Sequence, residues 1–179
     1  MLDIVKAPQP VLSDTAKEVS KVDKAVKNLI ADMKVALESA SDPVGVGLAA
    51  PQVGKSLRIF IAKPSVKSKI SVFINPVITK KELLQEQDED KAVKLEGCLS
   101  LPNIWGEVRR FRQIHVDYLD ENGVTHSQKF AGFMAVIIQH EVDHLNGVLF
   151  PKRVLEQKGT LYQSHKDTKG QDVFDELRV

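Results

Sequence analysis

Gly132-Phe-Met-Ala-Val-Ile-Ile-Gln-His-Glu-Val-Asp-His-Leu145 decides how this chain folds. Phe133, Met134, Val136, Ile137, Ile138, Val142 and Leu145 make the stretch dense in apolar residues. No proline interrupts it, and Asn146-Gly147 supplies a C-terminal stop. The pattern predicts a helix buried nearly all round. Gln139, His140, Glu141, Asp143 and His144 interrupt the apolar run, and burying them without a metal or a polar network is costly. His140 and His144 stand at i and i+4, one above the other on a helix face, so both imidazoles can reach one ion. Glu141 is turned about 100° from His140, where it can take a proton from a metal-bound water without ligating the metal. Such a pattern arises by accident in roughly one chain in a hundred of this composition, which favours a metal site over two merely satisfied histidines.

A catalytic site of this kind usually needs a third protein ligand and an open position. Downstream, Glu156, His165 and Glu176 are the candidates, as in peptidases that recruit a later ligand. Upstream stands Cys98, in Glu96-Gly97-Cys98-Leu99-Ser100. A thiolate is a strong ligand for a first-row divalent metal, and Gly97 permits unusual backbone geometry beside it. A lone cysteine is more often a small buried hydrophobe, so spacing alone leaves the third ligand open. Gly45-Val-Gly-Leu-Ala-Ala-Pro-Gln52 reads by itself as a turn. It lacks the third glycine of a dinucleotide loop and the Gly-Lys-Ser/Thr of a P-loop. Gln52 is its one residue with catalytic potential, an amide able to donate to an oxyanion.

Further out, Val26, Leu29, Ile30, Met33 and Leu37 predict an amphipathic helix, capped at Asp23 and ended by Asp42-Pro43. Ile4 to Val19 reads as an extended arm. Leu57 to Ala62 and Ile70 to Ile78 read as strands, and Lys80 to Lys94 as a charged, solvated loop or hairpin tip. Phe111 to Asp120 and Val124 to Phe130 read as strands joined through Asn122-Gly123. A short helix is expected over Val173 to Leu177. Hairpins rather than alternating crossovers predict an α+β fold, with mixed or antiparallel β-sheets packed around the buried helix. The 179 residues suit one domain spanning 1–179.

The formal net charge of +1 offers no global basic footprint, so specific DNA binding is not expected. No stretch approaches 18 uninterrupted apolar residues, so no membrane partner is expected. The N-terminus lacks the character of a targeting segment. Cys98 alone cannot form an intrachain disulfide, which with the rest favours a cytoplasmic setting.

Together, in this order, Gly45 to Gln52, Glu96 to Ser100 and Gln139 to Leu145 closely resemble the three motifs of the peptide deformylase family. The resemblance covers about residues 1–152 and leaves 153–179 as a variable tail. It departs at Asn103, where many members have glycine, at the following Trp105, and in the charge-rich Lys80 to Lys94. It implies hydrolysis of the N-formyl group from the N-terminal formyl-methionine of newly made polypeptides, releasing formate. Cys98, His140 and His144 then bind one divalent metal ion, Fe2+ in the native state, with Ni2+, Co2+ or Zn2+ as substitutes. Glu141 moves the proton, and the Gln52 amide and the Leu99 backbone N–H hold the oxyanion. Val46, Gly47, Leu48, Phe133, Val136 and Ile137 flank these motifs and are expected to line the methionine pocket, with Gly97 and Trp105 also binding substrate. N-formylmethionyl nascent peptides and the ribosome near its exit tunnel are the implied partners. The rival readings are a peptidase with its third ligand in the tail and a metal-stabilised binding module without turnover.

Overall fold

A computed structural model describes residues 2–40, 44–84 and 95–178. α1 (Lys24–Ser39) begins where expected, with Asp23 accepting a hydrogen bond from the Val26 N–H at 2.9 Å. Its Val26, Ile30, Met33 and Leu37 are buried. The expected stop at Asp42-Pro43 lies outside the described residues.

Two antiparallel sheets follow. The first has the order β1 (Gly47–Ala49), β2 (Ile59–Ala62), β3 (Ser71–Leu84), β6 (Phe111–Leu119) and β7 (Thr125–Ala131). All four residues of β2 are buried because the strand is covered on both faces. Ile59 and Ile61 join Leu48, Val72 and Ile74 against α1. Phe60 and Ala62 alternate to the other face, where they join Ala49, Phe73, Ile114 and Val116 against α2 (Gly132–Leu145). Phe60 stacks on Phe73 with ring centroids 4.5 Å apart. The predicted buried helix is therefore the one laid on this sheet. Its first turn is less covered than expected, with Phe133 52% exposed.

The second sheet, with order β4 (Leu95–Cys98), β5 (Leu101–Glu107), β8 (Leu161–Lys166) and β9 (Asp172–Leu177), packs against α3 (Phe150–Glu156). Sequence reasoning missed β1, β4, β5, β8 and α3, which are short and lack a clear period. Two expectations are corrected. Residues 80–84 are strand, not loop. β3 passes through irregularities between Ile74 and Val77 and between Ile78 and Lys80, then keeps pairing with β6 through Lys80↔His115, Lys81↔Ile114 and Glu82↔Gln113. Its charges stay wet on a strand face, where Glu82 pairs with Lys80 and, at 3.5 Å, with Lys129. The remainder of that segment, 85–94, lies outside the described residues. Val173 to Leu177 is β9, not helix. Asp167 Oδ1 accepts from the N–H groups of Lys169 and Gln171, both at 2.8 Å, and Gly170 takes φ +76°. That turn folds β9 back on β8 in the register Leu161↔Leu177 to Lys166↔Asp172, and ladder bonds override the weak local helix signal.

Candidate metal centre

α2 sets His140 and His144 one turn apart, and their Nε2 atoms lie 3.2 Å from each other. Cys98, the last residue of β4, brings its Sγ to 3.2 Å from His144 Nε2. One ligand atom from each of the three residues falls within 4.8 Å of the others. Around a tetrahedral ion with bonds of about 2.1 Å to nitrogen and about 2.3 Å to sulfur, neighbouring ligand atoms stand about 3.4–3.6 Å apart, so the set fits a divalent metal ion. Among the described residues this is the group that meets such a criterion, and it excludes the tail candidates. Glu156 pairs instead with Arg153 at 2.9 Å, and His165 with Asp175 at 3.3 Å.

The electrostatics agree with the donor set. Burial pushes the Cys98 thiol up, but the facing His144 and His140 rings outweigh it and bring the group well below the ordinary thiol range. Burial pushes His140 down, and the Glu96 carboxylate outweighs that, raising it well above the ordinary imidazole value.

Glu96 lies outside the residues that sequence reasoning singled out for the site. Its Oε1 takes a 2.6 Å bond from His140 Nδ1 and a 2.7 Å bond from Arg110 Nη2, while Oε2 takes Arg110 Nε at 3.0 Å. Burial raises the Glu96 carboxyl, but His140 and Arg110 hold it at about 2. Arg110 continues to Asp143 Oδ2 at 2.7 Å, and Arg153 of α3 closes on Asp143 Oδ1, also at 2.7 Å. A chain of charges thus runs from a metal-ligand candidate to α3, each buried charge meeting its opposite. Glu96 was visible as a member of its motif. Arg110 and Arg153 carried no local signal.

Glu141 is buried, and its Oε2 has no hydrogen-bond partner. Burial raises its carboxyl to about 7, against the lowering effect of His140 and His144. Gly47 of β1 makes room for it: a Cβ there would stand 2.8 Å from Glu141 Cδ and 3.0 Å from Ile137 Cγ2. Gln52, in the 3₁₀ turn after β1, is 1% exposed. The Ala49 N–H donates to its Oε1 at 2.8 Å. That fixes the amide so that Nε2 faces Cys98 Sγ at 3.4 Å and Ser100 Oγ at 3.3 Å. Leu99 stands on the turn directly after Cys98.

The expected pocket residues divide. Gly47, Ile137 and Glu141 come together. Val46 is half-buried in the α2 cluster, Val136 is half-buried on α2, and Phe133 is exposed at its first turn. Leu48 turns its side chain the other way, into the cluster against α1. Gly106 of β5 faces Val154 and Phe150 of α3, so strand alternation sends Trp105 to the opposite face. There its ring covers Gly97, its Nε1 donates to Ser164 Oγ at 3.0 Å, and Phe174 meets it edge-on.

A buried helix that presents two histidines and a carboxylate with one unpartnered oxygen, and that meets the Cys98 thiolate at the end of β4, defines a metal-dependent hydrolase. The family model for polypeptide deformylase matches residues 1–159. Peptide deformylase of Treponema pallidum (strain Nichols) is 40% identical over 150 residues, covering 84% of this chain and 86% of that one. The crystal structure of peptide deformylase from Thermus thermophilus superposes with a TM-score of 0.75 at 40% identity, covering 88% of each chain. The peptide deformylase of Synechococcus elongatus, in complex with actinonin, superposes with a TM-score of 0.76 at 38% identity, covering 86% of this chain and 78% of that one. The chain belongs to the polypeptide deformylase family. Its activity is removal of the N-formyl group from newly made polypeptides. No helix among the described residues is long and apolar enough to cross a membrane.

Proposed function

We propose that deformylation runs at the Cys98–His140–His144 centre with Glu141 as general acid–base. The observation that carries this is the buried Glu141 carboxylate, with one oxygen unpartnered, beside three converging ligand atoms. An ion held there supplies Lewis acidity, which makes water a competent nucleophile near neutral pH. Glu141 takes a proton from the attacking water as its oxygen bonds to the formyl carbon. The carbonyl oxygen gains negative charge, and the Gln52 amide and the Leu99 N–H donate to it. The C–N bond then breaks, and Glu141 returns the proton to the leaving amine. Formate and a free N-terminus result.

The donor set of one soft thiolate and two imidazoles suits borderline first-row ions. Fe2+ is the proposed native metal, with Ni2+, Co2+ or Zn2+ able to replace it. The substrate is an N-formylmethionyl chain, with Val46, Gly47, Val136, Ile137 and the exposed Phe133 beside its side chain, and Leu48, Gly97 and Trp105 supporting the walls. Because such chains arise at the ribosome, the enzyme works in the cytoplasm near the exit tunnel, as one domain spanning 1–179. Protein loaded anaerobically with Fe2+ should release formate from formyl-Met-Ala-Ser. Absence of release from protein holding one metal per chain would refute the assignment.

A further inference from the structure

The two proposed oxyanion donors belong to different layers. Gln52 sits on the turn after β1, in the first sheet, and Leu99 sits between β4 and β5, in the second. No strand ladder joins these sheets among the described residues, so no ladder sets the distance between the donors. Three consecutive residues of the N-terminal arm bridge them. The Val5 N–H donates to the Gln52 carbonyl at 2.8 Å, and the Ala7 N–H donates to the Ser100 carbonyl at 3.0 Å. Between them, the Lys6 ammonium donates to the Leu99 carbonyl at 2.5 Å. The arm is itself anchored. Leu12 is 1% exposed, and the Ala16 N–H donates at 2.9 Å to the carbonyl of Leu145, the last residue of α2. One segment therefore bonds to all three parts of the chain that carry the centre: the Gln52 turn, the Cys98–Leu99 turn and α2.

We propose that residues 5–7 act as a strap that sets the spacing of the two oxyanion donors, with Lys6 as a positioning residue for the reaction. The proposal rests on the reading of Gln52 and Leu99 as those donors. Lys6 is exposed, so its bond to Leu99 contributes little to stability. It is also charge-assisted and holds the residue that carries one donor. Donors aimed at a developing charge act only in register, and a misplacement of about 1 Å can cost 10²-fold in rate. The effect of losing Lys6 therefore belongs in kcat.

The test uses the metal-loaded full chain and compares Lys6→Met and Lys6→Arg, each in the natural sequence and in a Gln52→Ala background. Lys6→Met should lower kcat by about tenfold, with KM within about twofold. Metal content and Tm should not change. Lys6→Arg should restore most of the rate. In the Gln52→Ala background, where no second donor remains to be spaced, the same Lys6→Met change should cost less than about twofold. The strap is overturned if Lys6→Met leaves kcat intact, if its loss tracks metal content or Tm, or if it costs the same factor in both backgrounds. If Gln52→Ala alone leaves kcat unchanged, the donor pair itself is wrong, and the strap falls with it.

Discussion

The carboxylate of Glu141 fills the space that a side chain on Gly47 would take, with Glu141 Cδ 2.8 Å from the position of a Gly47 Cβ. A residue of β1 and a residue of α2 are thus fitted to each other, and the fit places a buried carboxylate beside the ligand atoms. Gly47→Ala should displace Glu141 and lower kcat by about 10²-fold, since acid–base catalysis depends on near-contact geometry. Glu141→Ala should lower it by about 10²–10⁴-fold. Both variants should keep one metal per chain. Formate release close to that of the natural sequence from Glu141→Ala would remove Glu141 from the mechanism.

Glu96 accepts bonds from both His140 and Arg110, whose side chains are almost fully covered. Glu96→Ala frees His140 Nδ1 and leaves the buried Arg110 with less of its countercharge. Metal affinity should fall about 10–100-fold. Stability should fall by about 3–5 kcal/mol, the usual cost of breaking a buried pair from one side. Metal titration and denaturant unfolding read the two effects separately. Unchanged metal affinity would mean that the orientation of His140 does not depend on Glu96.

Removing the ion should also be visible in stability. Three candidate ligand atoms converge in a buried site of the folded chain, so an ion that binds there and not to the unfolded chain adds its binding free energy to stability. Metal present at a hundredfold excess over its Kd adds about 2.7 kcal/mol, or about 5–10 °C in Tm for a chain of this size. A chelator should reverse that shift, and Cys98→Ser should shrink it. A Cys98→Ser protein that takes up metal like the natural sequence would exclude the thiolate from the ligand set.

The proposed methionine pocket predicts selectivity. Its wall would be Ile137, whose Cγ2 would stand 3.0 Å from a Gly47 Cβ, together with Val136 and Val46. Formyl-Met peptides should exceed formyl-Ala peptides by about tenfold or more in kcat/KM, because each buried methylene contributes about 0.8 kcal/mol. Equal values for the two substrates would argue against a methionine pocket.

What could be read from the sequence was local. His140, Glu141 and His144 lie within five residues, and helix geometry alone places two imidazoles on one face. The N-cap at Asp23 and the Asn122-Gly123 hairpin were legible for the same reason, since each is a bond or turn between near neighbours. Cys98 was legible as a candidate ligand only through its motif. His140 stands 42 positions further along the chain, and nothing in that spacing brings the two together.

The remaining features depended on what each segment pairs with or packs against. Residues 80–84 carry the composition of a loop, yet pairing with β6 draws them into a strand. Val173 to Leu177 became a strand because β8 offered a ladder. Arg110 reached Glu96 and Asp143, and Lys6 crossed 93 positions to Leu99, because the sheets and the arm place them side by side. The sequence by itself determined the buried helix, the shared face of its two histidines and the α+β class, all of which follow from periodicity and short-range geometry. Only the tertiary structure decided which charge holds His140, which glycine admits Glu141 and what bridges the Gln52 and Leu99 turns. Those contacts join segments whose approach is set by packing of the whole core, and no local pattern encodes them.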